Sequence, residues 1–312
     1  MRSRFLPVLL LAIVSVVLLC ACGGPSFSDP ETAACSNPTA TFGDPDVLSD
    51  YQELEVHFTC EGVTLAGTLT LPPGPGPHPA VVWVHGSGEA RRLTYSAPLV
   101  QTLVHSGVAV LSYDKRGVGE SQGVCCPGDS DHFNLLAADV AGAVNVLRSR
   151  SDIDPKQIGL LGASQAGWIV PLSVARFDHV AFIALVDAPV VSTGEENLYS
   201  RLTGEEGGQA SGLSKEEIAQ RLKEAGPSGF DPAPFLKQIN VPGLWLYGEQ
   251  DLSQPVDNDL VILDQLKTEG KNFSVVVFPG AGHGLLDVPP TDPKALPTLV
   301  EWILRQVHVA SQ

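Results

Sequence analysis

The stretch Gly162-Ala163-Ser164-Gln165-Ala166-Gly167 constrains this chain more than any other. Before it runs Gln157-Ile158-Gly159-Leu160-Leu161, a short apolar run that reads as a buried strand. After it, Trp168 to Ala175 reads as a helix. A serine on a tight turn between strand and helix is a nucleophile elbow. The backbone there is strained, so the neighbours must be small for strand and helix to approach. The serine is left exposed, with the positive end of the helix beneath it. The usual glycine at the fifth position is Ala166 here, with Gly167 next. Short Gly/Ser patterns also arise by chance, so the remaining parts of such a site must appear at strand ends and in the right order.

The surrounding pattern supplies the strands. Glu53 to Thr59 and Thr64 to Leu71 alternate polar and apolar residues around the turn Cys60-Glu61-Gly62, which predicts an antiparallel hairpin. Ala80 to His85 is a continuous apolar run, as expected of a strand buried on both faces. Further strands are expected over 108–113, 157–161, 180–186, 241–247 and 273–278. They alternate with helices over 93–106, 133–149, 256–269 and 298–307. This alternation predicts an α/β fold with a mostly parallel sheet and helices on both faces. Residues 190 to 238 break the rhythm, being polar and glycine-rich. Ser214-Lys215-Glu216-Glu217 there is a capping box that starts a short charged helix. The segment reads as a small lid over the strand ends, where ligands bind in open parallel sheets; the alternative is a disordered surface insertion.

A serine hydroxyl is a poor nucleophile at neutral pH. It needs a histidine to take its proton and an acid to orient that histidine. The strand at 241–247 leads through Gly248 to Asp251, and the strand at 273–278 leads through a glycine-rich loop to His283. The order Ser, Asp, His is the one expected on a sheet of this kind. Glu249, Asp257, Asp259 and Asp187 compete for the acid's role, and position favours Asp251. The negative oxygen of a tetrahedral intermediate needs two N–H donors. The expected donors are the backbone of Gln165 and that of Ser87, within His85-Gly86-Ser87-Gly88. His85 reads as a structural residue that fixes this loop.

These motifs together resemble the α/β-hydrolase superfamily, in particular bacterial serine esterases near the dienelactone-hydrolase and acylaminoacyl-peptidase-like branch. Ser112-Tyr113-Asp114-Lys115-Arg116-Gly117-Val118-Gly119-Glu120-Ser121 resembles the superfamily's loop after the fourth strand, which shapes the site without joining the catalytic set. The resemblance covers residues 53 to 308. It implies an eight-stranded, mostly parallel sheet and hydrolysis of a small-molecule carboxylic ester through an acyl-enzyme. Ser164, His283 and Asp251 would form the triad, and no metal or organic cofactor is required. A peptidase or thioesterase with the same triad, and a catalytically inactive surface-binding lipoprotein, are the alternative readings.

The front of the chain carries a different signal. Arg2 and Arg4 precede an apolar stretch from Phe5 to Leu19, followed by Leu19-Cys20-Ala21-Cys22-Gly23-Gly24. This resembles a bacterial lipoprotein signal spanning residues 1–21, cleaved before Cys22. Cys22 would then carry palmitate-type acyl chains that hold the protein to a membrane of the cell envelope. An ordinary secretory signal and a retained anchor are the alternatives. Residues 22–50, rich in Gly, Pro, Ser, Thr and Asp, are expected to be a flexible tether to a hydrolase domain over 51–312. The formal charge of −16 argues against nucleic acid and against electrostatic attraction to anionic surfaces. An exported location permits disulfides among Cys35, Cys60, Cys125 and Cys126. A bond between the adjacent Cys125 and Cys126 would be strained. The favoured pairings therefore join Cys35 and Cys60 to the other two or to each other, with a metal site as the lesser alternative.

Overall fold

The computed structural model describes residues 35, 38–47, 51–92, 97–126, 130–177, 180–205 and 209–309. The leader over 1–21 and Cys22 lie outside these described residues. Among the described residues no helix is long and apolar enough to cross a membrane.

The expected hairpin is present as β3 (Gln52–Cys60) and β4 (Val63–Leu71), antiparallel and in register from Gln52 opposite Leu71 to Cys60 opposite Val63. Two short strands, β1 (Ala40–Phe42) and β2 (Asp46–Val47), add to the outer side of β3. The remaining strands are β5 (His78–Val84), β6 (Ala109–Tyr113), β7 (Ile153–Ala163), β8 (Ile183–Val186), β9 (Gly243–Gly248) and β10 (Phe273–Phe278). They form one sheet in the order β1-β3-β4-β6-β5-β7-β8-β9-β10, with β2 beside β3. All pairings from β6 to β10 are parallel, and those on the β4 side are antiparallel. The eight expected strands are therefore extended by β1 and β2.

The helices are α1 (Ala97–His105), α2 (Ser130–Arg148), α3 (Ala166–Phe177), α4 (Thr193–Thr203), α5 (Lys215–Ala225), α6 (Ala233–Leu236), α7 (Val256–Thr268) and α8 (Ala295–Val309). They cover both faces because the central strands are apolar on both. In β8, Ile183 and Leu185 join the core shared with α2, α3 and α7, while Ala184 and Val186 join the core shared with α1 and α8. This alternation is the two-residue period of a strand expressed in packing. Each fully buried aliphatic or aromatic side chain contributes about 1.5–3 kcal/mol relative to exposure. With two such faces, the strand ends are the part of the sheet left open to a ligand.

Two expectations need correction. Part of the stretch expected to be a free tether is built onto the sheet, since Ala40 to Phe42 pairs with Val56 to Phe58 and Cys35 is bonded to Cys60. The backbone of this polar segment finds partners on an open strand edge, which its composition does not reveal. The second correction is that the disfavoured bond between adjacent cysteines, Cys125–Cys126, is present. Cys126 stands at φ +71°, in the left-handed region.

The insertion between β8 and β9 is largely helical. α4 and α5 each begin with a reciprocal capping box, Ser192 with Glu195 and Ser214 with Glu217. The chain leaving β8 is pinned by α7, where buried Asp259 accepts from Val190 N at 2.8 Å and Val191 N at 3.0 Å.

Cys35 and Cys60 close a loop across 25 residues. Replacing both by Ala is expected to lower the free energy of unfolding by about 3 kcal/mol in a denaturant titration. An unchanged transition would mean that the bond does not anchor this segment.

Candidate active site

Ser164 follows β7, the strand between β5 and β8, and stands at φ +52°, a left-handed conformation that costs a non-glycine residue energy. Its N–H donates to Val186 O at 3.0 Å, and its carbonyl accepts from Gly167 N at 2.9 Å, which starts α3. Two close approaches make the turn possible. A Cβ on Gly162 would lie 2.5 Å from the Ala166 methyl and 2.9 Å from Val84 O. A Cβ on Gly167 would lie 2.3 Å from Pro189 O. The alanine at the fifth position is thus accommodated because Gly162 opposite it has no side chain.

β9 ends at Gly248, and Asp251 follows in a tight loop with its side chain fully buried. Its Oδ1 accepts from Ser253 N at 2.8 Å and Gln254 N at 3.1 Å. Its Oδ2 lies 2.8 Å from Nδ1 of His283, which stands in the loop after β10. With Nδ1 donating to the carboxylate, Nε2 is the ring nitrogen left to exchange protons. Burial by itself would lower the pKa of His283. The hydrogen bond and charge of Asp251, reinforced by Asp187 and Glu205, outweigh burial and raise it to about 9.

Asp187, weighed in sequence as a competing acid, sits between the serine and the histidine loop. It follows β8 directly and stands at φ +46°. Its Oδ2 accepts from Gly284 N at 2.9 Å and Leu285 N at 2.8 Å, so it holds the backbone just beyond His283. Burial pushes its carboxyl up to about 6, against the pull of His283. The other competitors have different tasks. Glu249 Oε2 accepts from Gly280 N at 2.9 Å, Asp259 pins the start of the insertion, and Asp257 is exposed. Among the described residues, Asp187, Asp251 and His283 form a group with ligand-type atoms within 4.8 Å of one another. Three of its four carboxylate oxygens already accept N–H bonds, which is the arrangement of a held imidazole.

The loop after β5 abuts the serine: a Cβ on Gly86 would lie 3.4 Å from Ser164 Cβ. His85, buried, sets its nitrogen Nε2 against Tyr113 O and its ring edge-on to Tyr113 at 4.7 Å. Burial lowers its pKa to about 4, so it is neutral and holds the loop to β6. Among the described residues, neither the N–H of Ser87 nor that of Gln165 is taken by another group. No hydrogen bond joins Ser164 Oγ to His283 among the described residues, as is common before substrate is bound.

The insertion reaches the acid loop, with Tyr199 Oη donating to Asp251 O at 3.1 Å. Beside that loop lies a cavity of about 300 Å³ walled by Leu202, Ile218, Leu222, Leu252 and Val256. Sequence reasoning placed the serine, the acid and the histidine at their strand ends. It left Lys115 as a loop-shaping residue, yet Lys115 is buried directly behind the loop that carries Ser87. Its sequence signal was its place just after the strand expected over 108–113, in the segment that resembles the superfamily's site-shaping loop.

A family model described as the prolyl oligopeptidase family matches residues 95–309. Esterase EstD of Thermotoga maritima is 27% identical over 263 residues, covering 77% of this chain and 62% of that protein. Thiohydrolase aneE of Aspergillus aculeatus is 32% identical over 196 residues, covering 61% of this chain and 57% of that protein. The matches thus span about six-tenths of the length of these curated relatives. The crystal structure of acetyl xylan esterase 1 from a Thermoanaerobacterium species superposes with a TM-score of 0.64 at 18% identity, covering 86% of this chain and 88% of that one. At that identity the likeness establishes the fold, which is the α/β-hydrolase fold.

The raised pKa of His283 has a defined consequence. An NMR titration should show its ring losing a proton near pH 9, and Asp251→Asn should move that event down, because burial remains and the charge of Asp251 that opposes it is gone. The folded value exceeds the unfolded one. The pair therefore stabilises the fold fully below about pH 6.5, and that contribution is lost as pH rises through about 9. A ring titrating near 6.5 in both proteins would contradict the coupling.

Proposed function

The chain belongs to the prolyl oligopeptidase family, and from that footing we propose that it is a serine hydrolase that cleaves carboxylic esters through an acyl-enzyme. The observation that carries the reading is the 2.8 Å contact between buried Asp251 and His283 Nδ1, on the same open sheet end as a serine held in a left-handed turn. The likeness to esterase EstD of Thermotoga maritima supports an ester as the substrate.

In the proposed reaction Ser164 Oγ attacks the acyl carbonyl while His283 Nε2 takes its proton. Asp251 holds the ring by Nδ1–H and stabilises the imidazolium that forms. The carbonyl oxygen, now negative, is met by the N–H groups of Ser87 and Gln165, both unengaged among the described residues. The intermediate collapses with expulsion of the alcohol, which receives the proton from His283. A water then attacks the acyl-enzyme, giving its proton to His283, and the second collapse returns that proton to Ser164 and releases the acid. The first step uses the ring in its neutral form, whose share grows as pH rises toward about 9, and the ring once protonated is the acid for the second. Asp187 acts by fixing the loop that presents the ring.

The thiohydrolase relative makes a thioester the second candidate substrate. The leader sequence supports a further proposal, that Cys22 carries acyl chains that tether the protein to a membrane of the cell envelope.

Ser164→Ala is expected to lower turnover of a p-nitrophenyl ester by about four to six orders of magnitude with the fold intact. Activity near that of the wild type would refute the assignment. Matched esters, thioesters and anilides should rank with the ester fastest, and a thioester turned over faster than the ester would move the substrate class. Labelled palmitate should be incorporated in the producing bacterium and lost in Cys22→Ala; equal incorporation would remove the anchor.

A further inference from the structure

Behind the loop that carries Ser87 lies a buried cation, Lys115, only 2% exposed. Its Nζ has three protons and three acceptors: Gly86 O at 2.7 Å, Gln165 Oε1 at 2.9 Å and Gly88 O at 3.1 Å. No carboxylate accepts from it among the described residues. A lysine taken out of water without an acidic partner costs free energy, and fully satisfied hydrogen bonds offset only part of that cost. Here every one of those bonds ends on the two segments that supply the N–H donors of the proposed reaction.

We propose that Lys115 is an electrostatic positioning residue, whose ammonium orients and polarises the peptide groups that receive the negative oxygen formed on acylation. The inference rests on the assignment of Ser164 as nucleophile and deepens it. The key unit is the peptide between Gly86 and Ser87. In a trans peptide the C=O and N–H point in opposite directions, so a cation seated on Gly86 O aligns Ser87 N–H toward the other side. The same cation draws electron density along that unit, which strengthens the N–H as a donor. His85 and Ala90 N hold the two ends of this loop, but among the described residues the carbonyl of the Gly86–Ser87 peptide is held by Lys115, and glycine on either side leaves that plane otherwise free to turn. The contact to Gln165 ties the second donor residue to the same point. Because Lys115 itself is shielded from water, its charge favours a negative charge in front of these donors more than an exposed lysine would. Burial pushes the Lys115 pKa down to about 8, which leaves it charged at neutral pH. The neighbouring His85 is neutral, and Asp114 spends its carboxylate on the N–H groups of Arg92 and Glu120. Lys115 thus contributes the positive charge at this point.

The test compares Lys115→Met, which keeps the length and removes the charge, with Lys115→Gln, which keeps a donor, and with wild type, all normalised to active sites by fluorophosphonate titration. Both variants should lose about 10- to 100-fold in kcat on a p-nitrophenyl ester, with KM changed by less than about threefold. A trifluoromethyl ketone, which forms an anionic adduct with the serine, should lose affinity by a similar factor, while the unreactive methyl ketone binds as before. Lys115→Arg, which retains the charge, should recover most of the loss. An unchanged kcat, a loss confined to KM, or equal losses for both ketones would overturn the proposal. A merely structural lysine would lower the unfolding temperature without separating the two ketones. If wild type hydrolyses no ester, the assignment of Ser164 falls and this inference with it. An active wild type with unaffected variants overturns the lysine alone.

Discussion

The reactive end of this protein depends on one backbone distortion, the left-handed turn at Ser164. Such a conformation costs a non-glycine residue about 1–3 kcal/mol and persists only where its surroundings over-determine it. Here they do so from several directions. Val186 O holds the serine N–H, the start of α3 holds its carbonyl, and Gly162 and Gly167 let β5 and Pro189 close in on either side. The two-faced burial of β7 and β8 supplies the rigidity that this turn requires. A sheet with one wet face would leave the strand free to relax.

The same end of the sheet collects buried polar groups whose partners are mostly backbone. Asp251 and Asp187 each hold a loop by two N–H bonds, and Lys115 holds two carbonyls. Arg116 and Asp139 form a buried pair, Nε to Oδ2 at 3.0 Å, that fixes the segment after β6 to α2. This pattern follows from the fold. Parallel strands end together, and the loops that leave them have no ladder of their own, so charged side chains supply the hydrogen bonds the backbone would otherwise lack. Loops held in this way can present an imidazole and two N–H donors in fixed positions.

Much of this was legible in the sequence because periodicity and strand-end position are local. The hairpin over β3 and β4 and the unbroken apolar run of β5 could be placed from spacing, and Ser164, Asp251 and His283 from their places after expected strands in the order that the resemblance implies. What escaped was set by contacts distant in sequence. The polar residues around Ala40 join the sheet because β3 has an open edge and Cys60 lies opposite Cys35. Asp187 reads in sequence as a rival acid and Lys115 as a loop residue, and their holding roles show only when the fold brings Gly284 to one and Gly86 to the other. α4 was missed although Ser192 and Glu195 stand at capping-box spacing, the signal that did reveal α5. The glycine-rich flanks of that segment masked it.

The central claim is that Ser164 is made nucleophilic by His283. The most direct measurement is peptide mapping by mass spectrometry after reaction of the folded protein with a fluorophosphonate. The account predicts a single modified residue, Ser164, with labelling slowed by orders of magnitude in His283→Ala. A folded wild-type protein that does not react, or one labelled elsewhere with Ser164 untouched, would contradict it.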